Sequence, residues 1–489
     1  MKTQNTQRKA AGPRITSTSA GLLIRSNTYR AAVLALLFAG ATLLSTSAAS
    51  ADTITVINTN DSGPGSLRQA LVDANDGDRI NFDSSLNGQR ILLTSGQLNV
   101  DKDVTISGPG AKNLAVDGNA QSSVFYVNPG KTVTIDGLTV ANGHTFFGGG
   151  GIYNDAAALT VTNCVLSGNS TDFYGGGIDN DAYNGGATLT VTNCMLIRNS
   201  AYSGGGIRNE GANGGATLTV TNCTISGNSG DYDGGDGIAN YAYEGDATLT
   251  ITNSTITGNG SPASLPGGGV SNLADGSIAT LTITNSTISG NSAGEGGGVS
   301  NEARNASIAT LTITNSTLSG NSAGYHGGGI LNDAFNAGFA GVETGNTIFD
   351  AGSSGENIFN SAGTVTSRGY NVSSDDGGGF LTGAGDQINT DPLLGPLQDN
   401  GGPTYTHALL PGSPAIDAGD PNFTPPPFYD QRGPGFDRVV NGRIDVGSFE
   451  IQSAPTPTPT PTVTPTPTAT PTPRPSPTPR LRPTPVPRP

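Results

Sequence analysis

The chain has 489 residues, of which 73 are glycine, none is tryptophan and only 12% are charged. This composition favours turn-rich β structure over a helical enzyme core. Ten of the 23 Lys and Arg lie outside residues 52–451, so this body holds 13 bases against all 38 acids, a net charge of −25. Such an acidic body argues against nucleic acid as a partner.

Residues 1–51 have the features of an export signal. A basic leader precedes an apolar run, Ala31–Leu44, and small residues ending in ASA lie before Asp52. The apolar run is too short for a membrane span. We therefore expect cleavage near Ala51, no transmembrane segment afterwards, and a mature protein that is secreted or displayed on the cell surface.

A strand and one short helix open the next segment, residues 52–142. Ser66 and Gln69 have the spacing of a capping box, and one apolar stripe is formed by Leu67, Ala70, Leu71 and Ala74. Such a helix is suited to cover the open end of a stack of strands. The stretch GSLRQAL, from Gly65 to Leu71, resembles the CSLREAI motif at the start of secreted bacterial β-helix proteins, with Gly65 in place of the motif's Cys.

Residues 143–339 repeat one unit with a period of about 30. A T-N-[CS] step recurs at intervals of 29 to 32 residues, with its Asn at Asn163, Asn193, Asn222, Asn253, Asn285 and Asn315. A GGG[IV]xN element precedes each step, in one coil as the variant GGDGIAN that ends at Asn240. Apolar residues alternate around the step, as at Leu218 and Val220, which is the period of a strand with one buried face. Each unit therefore holds about three short strands.

Stacking of these units predicts an all-β fold, a parallel β-helix of about ten coils. We expect a right-handed coil, because parallel connections strongly prefer that hand. The residues from Arg79 to Asn142 are interpreted as earlier, less regular coils. A single coil buries too little apolar surface to fold alone, so neighbouring coils must supply backbone hydrogen bonds above and below.

Two kinds of structural ladder follow from this register. Asn209, Asn222 and Asn228 are placed at the three turns, where Asn tolerates left-handed backbone and the stacked amides bond one another. Cys164, Cys194 and Cys223 occupy one inward column. Two interpretations of the Cys column remain open: a ladder of small buried residues, or one disulfide between adjacent coils with one thiol left free.

The repeats and the segment after them resemble known surface proteins. The GGG[IV] and SGNS elements are similar to the GGAI and FxxN repeats of the polymorphic outer-membrane protein family of adhesins. In residues 340–451 the period is lost, and the stretches Asp391–Asp420 and Gly442–Glu450 resemble the choice-of-anchor Q domain. That resemblance implies a cap on the C-terminal end of the stack. Residues 452–489 alternate Pro with Thr and are expected to form a disordered, extended tail.

An aromatic column is the first candidate site. It comprises residues that lie four to six positions before the Ile or Val of the GGG[IV] steps: Phe147, Tyr174, Tyr202, Tyr232 and Tyr325. Rings at this pitch could stack on sugar faces. They could equally pack on each other to close a loop.

A charged column is the second candidate site. Asp155, Asp179, Asp181, Arg208 and Glu210 flank the turns of three consecutive coils. Pectate-lyase-like β-helix enzymes use acids to hold calcium and an Arg or Lys to abstract a proton, and paired acids could instead serve a glycosidase.

The sequence as a whole predicts a non-catalytic, adhesin-like scaffold that displays stacked turn residues. The expected ligand is a polysaccharide or a cell-envelope polymer, and we expect a monomer with no cofactor and no metal. A polysaccharide-processing lyase or glycosidase is the alternative. A purely structural surface protein is the third interpretation.

Overall fold

The computed structural model describes residues 51–230, 234–260 and 266–452. The predicted export signal and the Pro/Thr-rich tail therefore lie outside the described residues, apart from residues 51 and 452, and so does Tyr232. The described chain is a parallel β-helix built from three long sheets, which confirms the predicted fold class. The handedness of the coil stays a prediction.

Sheet A carries the strands that precede each T-N-[CS] step. Its neighbours pair in parallel and in register, as Leu218 with Leu249 and Val220 with Ile251. Its strands, in spatial and chain order, are β1 (Thr53–Val56), β2 (Arg79–Phe82), β5 (Val104–Ser107), β8 (Thr132–Asp136), β12 (Ala158–Thr162), β16 (Ala187–Thr192), β20 (Ala216–Thr221), β24 (Ala247–Thr252), β27 (Ile278–Thr284), β31 (Ile308–Thr314), β34 (Phe339–Gly345) and β37 (Thr364–Gly369).

Sheet B carries the short strands that follow each step. Its strands are β3 (Gln89–Leu92), β6 (Leu114–Asp117), β9 (Thr139–Ala141), β13 (Val165–Ser167), β17 (Met195–Ile197), β21 (Thr224–Ser226), β25 (Thr255–Thr257), β28 (Thr287–Ser289), β32 (Thr317–Ala323), β35 (Ile348–Ala351) and β38 (Val372–Ser373).

Sheet C begins where each GGG[IV] element ends. Its strands are β4 (Leu98–Val100), β7 (Phe125–Val127), β11 (Ile152–Asp155), β15 (Ile178–Asp181), β19 (Ile207–Ala212), β23 (Ile238–Tyr243), β26 (Val270–Asp275), β30 (Val299–Arg304), β33 (Ile330–Ala334) and β36 (Ile358–Asn360). One circuit of the chain passes through C, A and B in turn.

Smaller elements complete the described structure. Sheet D lies between B and C and contains β10 (His144–Thr145), β14 (Ser170–Thr171), β18 (Ser200–Ala201) and β22 (Ser229–Gly230). Strand β29 (Ser292–Ala293) pairs with β32. The antiparallel pair is β39 (Leu394–Gln398) with β40 (Thr406–Leu409). Helix α1 is Leu67–Asp73, and 3₁₀ turns span Ser84–Leu86 and Gly377–Gly379. No helix within the described ranges has the length and apolar character needed to cross a membrane.

The core is one continuous apolar column inside the coil. The inward residues of a representative coil are all fully buried: Ile207, Leu218, Val220, Cys223 and Ile225. The three thiols of the Cys column are buried and no disulfide joins them, so the column is a ladder of small buried residues. Each coil adds the same apolar set, so the interior of the stack repeats the sequence period.

Helix α1 covers the N-terminal end of this column. Ser66 caps it by accepting the backbone N–H of Gln69 at 3.2 Å, and Leu67 and Leu71 join the interior apolar cluster. Gly65 has φ +78, and a Cβ there would lie 2.5 Å from Ile57 Cγ1. The positive φ and this contact both favour glycine at position 65.

Three columns of Asn side chains run along the stack. The six Asn of the T-N-[CS] steps have left-handed backbone, with φ between 51° and 55°. The second corner is made by Gly227, which has φ 62 and precedes Asn228. Asn228 Oδ1 accepts a hydrogen bond from the backbone N–H of Asn199. The turn placement of Asn209 is wrong, because Asn209 lies within β19. It is fully buried there and donates to Asn240 Oδ1 at 2.7 Å.

The segment after residue 339 differs from the expected cap. Residues 340–373 continue the coil, because Ala340, Val342 and Thr344 keep the inward alternation although the turn motifs are gone. The last coil is followed by the turn at Gly377–Gly379, where Leu381 joins the interior cluster and Phe380 packs against it.

Residues 391–452 lie along the outer face of sheet B instead of across the end of the stack. Thr255 Oγ1 donates to Tyr405 O at 2.6 Å, and Thr287 Oγ1 donates to Gln431 Oε1 at 2.6 Å. The apolar side chains of Ile348 and Val372 pack with residues of this segment. Outward Thr and Ile side chains in the later coils therefore provide the surface on which the segment docks.

Candidate functional site

Sheet C places the predicted charged residues in two adjacent outward columns. Side chains alternate across a strand, so Ile207 and Asn209 point inward while Arg208 and Glu210 point outward. Parallel register sets Asp179 beside Arg208 and Asp181 beside Glu210. Asp155, which lies in the preceding coil, is the register partner of Asp181. The charged residues of three coils are thus assembled on one face.

These columns line the larger of two adjoining cavities. It has a volume of about 530 Å³, within the usual size range of ligand sites. A second cavity of about 230 Å³ shares Tyr174, Arg208, Glu210 and Tyr243 with the first and extends to Ser271 in β26. We call the two cavities together the sheet C groove. Since its walls come from successive coils, the groove runs along the axis of the helix.

Tyrosine hydroxyls in one outward column of sheet C form hydrogen bonds with acids in the other column. Tyr126 and Tyr153 are register neighbours with ring centroids 5.3 Å apart. The Tyr126 hydroxyl donates to Asp155 Oδ2 at 2.5 Å, and the Tyr153 hydroxyl donates to Asp181 Oδ2 at 2.7 Å. Burial, followed by the bond to Asp155, raises the pKa of Tyr126 to about 12. Both tyrosines therefore remain protonated donors at neutral pH.

Arg208 is held as a buried cation. Its guanidinium pairs with Glu210, lies 3.9 Å from Asp179 Oδ1 and stacks 3.7 Å from the centre of the Tyr174 ring. Burial, the largest influence, favours the neutral form, but the carboxylates of Glu210 and Asp179 outweigh it and raise the pKa of Arg208. Arg208 therefore keeps its proton and its charge.

Asp179 is buried at the floor of the groove with one oxygen unpartnered. The residue is 2% exposed, and Asp179 Oδ1 has no hydrogen-bond partner; the same is true of Arg208 Nε. A side chain at Gly148 would collide with Asp179 Oδ2, so glycine is needed above it. Burial raises the pKa of Asp179 well above its usual range, with Arg208 opposing and Asp181 adding to the effect. Burial also raises the pKa of Glu210.

The predicted aromatic column is only partly at this site. Phe147 and Tyr174 line the larger cavity, whereas Tyr325 is 75% exposed and lines neither cavity. Tyr202 has its ring centroid 6.4 Å from that of Phe173, which also lies 6.4 Å from that of Phe147. The rings therefore pack on each other near the groove, and two of them also face it.

Several groove residues were missed by sequence reasoning. Tyr126, Tyr153, Tyr183 and Tyr243 line the larger cavity together with Gln97. Tyr153 stands at the variable position of GGG[IV]xN, the same column as Asp179 and Arg208. Aligning that position across coils would have identified Tyr153. Tyr126 lies in an irregular coil without the glycines, so the repeat gave no signal for it.

The remaining predicted positions have structural surroundings. The Asn of the T-N-[CS] steps and the Cys column lie away from the groove, at the A–B corner and in the interior. Within the described part of the chain, no group of three or more His, Cys, Asp or Glu is arranged to hold a metal ion.

Comparison with known proteins shows a similarity to a solved structure. No family model and no curated protein sequence matches the chain. A crystal structure of pectate lyase Pel9A is similar with a TM-score of 0.46 and 16% sequence identity, over 83% of this chain and 98% of that chain.

Proposed function

We propose that the chain is a carbohydrate-binding β-helix protein whose sheet C groove holds a polysaccharide. The observation that carries this proposal is the joining of aromatic rings and hydrogen-bonding carboxylates from successive coils in one elongated groove. Sugars present apolar faces and hydroxyl groups, which aromatic side chains and carboxylates respectively complement. A groove along the axis suits a linear polymer.

The proposed setting is a secreted or cell-surface scaffold of the adhesin type. The export signal predicted in residues 1–51 supports this location, and so does the resemblance of the repeats to adhesin repeats. The coil offers a rigid support, because the interior is packed and the Asn columns bond coil to coil.

Glycan-array screening of the mature protein, followed by calorimetry on the ligands it retains, tests the proposal. Tyr243→Ala removes a ring that is 45% exposed and lines both cavities. We expect about fivefold weaker binding, since an aromatic contact contributes roughly 1 kcal/mol. Tyr325→Ala is the matched control because that ring is exposed elsewhere. Absence of any glycan ligand, or equal loss in both variants, would contradict the proposal.

Polysaccharide cleavage is a second candidate, favoured by one observation. Asp179, Asp181 and Glu210 line one cavity, paired carboxyl groups are what glycosidases use, and burial raises the pKa of Asp179 and Glu210, which is the direction that favours a general acid. A lyase mechanism with Arg208 as the base is disfavoured, because Arg208 stays charged and is only 3% exposed.

A polysaccharide screen distinguishes binding from cleavage. New reducing ends would indicate hydrolysis and unsaturated ends would indicate elimination, in each case compared with Asp181→Asn. We expect neither product from the wild-type protein. Turnover that Asp181→Asn abolishes would replace the binding proposal with an enzymatic one.

A further inference from the structure

The charge of the sheet C groove restricts the kind of polymer that it can accept. The described residues lining the larger cavity include four acids, Asp179, Asp181, Glu210 and Glu244, but a single basic residue, Arg208. Arg208 is already paired with Glu210. Acidic residues therefore outnumber basic ones in the lining, and low-dielectric walls strengthen the field of each charge that the groove carries.

Buried atoms at the floor of the groove lack a partner that a ligand could supply. Asp179 Oδ1 is enclosed, lines the cavity wall and accepts no hydrogen bond. An unpartnered buried acceptor costs about 1–3 kcal/mol, which a donor from a ligand would recover. The floor therefore offers an unpaired acceptor, Asp179 Oδ1, to a donor of the ligand and an unpaired donor, Arg208 Nε, to an acceptor of the ligand.

Arg208 shows how this groove holds a positive group. Its guanidinium is placed between a carboxylate, Glu210, and the face of an aromatic ring, Tyr174. Carboxylate and ring faces are also the groups that stabilise an ammonium ion. Tyr153 and Asp181 also bring an aromatic ring and a carboxyl group together, joined by the 2.7 Å hydrogen bond from the hydroxyl, and no Arg or Lys among the described lining residues of the larger cavity other than Arg208 is present there.

Acids recur along the groove at the spacing of the coils. Asp155, Asp181 and Glu210 are register partners in consecutive strands, and parallel strands are about 4.8 Å apart. Asp155 lies behind the Tyr126 hydroxyl, while Asp181 and Glu210 line the cavity. A polymer with one positive group per sugar would meet the acidic side chains of Asp181 and Glu210 in two successive coils.

We propose that the groove selects polysaccharides whose amino sugars carry free ammonium groups. This inference rests on the proposed carbohydrate binding and narrows it to one ligand class. Polyuronates are rejected, because their carboxylates would meet the carboxylates of the groove at close range. N-acetylated polymers lose the charge interaction and keep only stacking and hydroxyl contacts.

Three hexasaccharides test this selection: hexameric glucosamine, hexameric N-acetylglucosamine and hexameric galacturonic acid. Calorimetry at low salt and mildly acidic pH, at which the sugar amines are protonated, compares their affinities for the mature protein. We expect glucosamine hexamer to bind about tenfold or more tightly than the N-acetylated hexamer, with galacturonate weakest. The preference should shrink as salt is added.

Charge-removing variants locate the preference in the groove. Asp181→Asn keeps an oxygen that can accept from Tyr153, and Glu244→Gln changes an exposed residue at the rim, so the second variant remains informative if the first fails to fold. Each should reduce the glucosamine preference severalfold. The matched control, Asp437→Asn, alters an exposed acid that lines neither cavity and should leave the preference unchanged.

The outcomes separate this inference from the proposed function. Equal binding of the glucosamine and N-acetylated hexamers, or tightest binding of galacturonate, overturns the selection but retains carbohydrate binding. A glucosamine preference that Asp181→Asn and Glu244→Gln leave intact also overturns it. Failure of all three hexamers and of the glycan array overturns both proposals.

Discussion

The outer faces of sheets B and C bury polar side chains in opposite ways. On sheet B, Thr255, Thr287 and Thr317 are at most 1% exposed, and their hydroxyls bond residues of the 391–452 segment. On sheet C, Asp179 and Arg208 are as deeply buried, yet each has an unpartnered atom beside a cavity. The chain itself thus pairs the polar groups of one face, whereas on the other face it leaves polar atoms unpaired beside a cavity.

A second contrast lies within sheet B. Thr224 and Thr287 occupy the same outward column in different coils, and Met195 of that column is 45% exposed. Thr287 is fully buried because the 391–452 segment covers it, while Thr224 is partly exposed. The repeat therefore sets which residues point outward, and the later, aperiodic segment decides which of them are covered.

The largest expected loss of stability follows from substitution of a buried, hydrogen-bonded acid in the 391–452 segment. Asp430 is buried and accepts from the Arg432 side chain, from the Arg432 backbone and from the Glu450 N–H at 2.8 Å. Asp430→Asn leaves the buried Arg432 without its charge partner. We expect a loss of about 3–5 kcal/mol in the free energy of unfolding, measured by urea denaturation.

An exposed pair supplies the control for this measurement. Glu343 pairs with Arg368, and their side chains are 46% and 55% exposed. Glu343→Gln should cost less than about 1 kcal/mol. Similar losses in Asp430→Asn and Glu343→Gln would mean that Asp430 is not buried and paired as described.

An intermediate loss of stability is expected from substitution of Thr287, the threonine that the 391–452 segment covers. Thr287→Val keeps the shape but removes the hydroxyl that donates to Gln431 Oε1, so a buried amide oxygen loses its partner. We expect a loss of about 2 kcal/mol in urea denaturation. Thr224→Val makes the same change at the uncovered position and should stay within about 0.5 kcal/mol. Equal values for the two variants would remove the distinction between covered and uncovered coils.

The sequence predicts the interior well because the interior is periodic. Identical residues recur at one spacing, so the register of Leu218, Val220 and Ile225 with their neighbours follows from the period alone. The charged half of the groove was predicted for the same reason, since Asp179, Arg208 and their neighbours stand at equivalent positions. Asn209 was misplaced because a buried strand Asn and a turn Asn have the same residue type, and only the backbone distinguishes them.

The docking of residues 391–452 could not be predicted from pattern. Its contacts join residues far apart in sequence, such as Thr255 with Gln431 and Thr317 with Ser448. The residues of the 391–452 segment share no period with the coil. A Thr that the segment covers has the same residue type and repeat position as a Thr that it leaves uncovered. The tyrosine half of the groove was missed for a related reason, because Tyr126 belongs to an early coil without the repeat motif.

The smallest expected change in the free energy of unfolding follows from substitution of Asp179, the buried acid of sheet C. Its pKa in the folded protein is raised by burial well above the ordinary 3.8, so the folded state holds a proton that the unfolded chain releases. Stability from this residue is therefore present below pH 3.8 and decreases as the pH rises towards the folded-state pKa. Asp179→Asn cannot titrate, so at neutral pH we expect a gain on the order of 1 kcal/mol, which disappears towards pH 4. Urea denaturation at several pH values measures this gain. A loss of stability at neutral pH would show that Asp179 is ionised and paired, and would place it with Asp430 among the partnered acids.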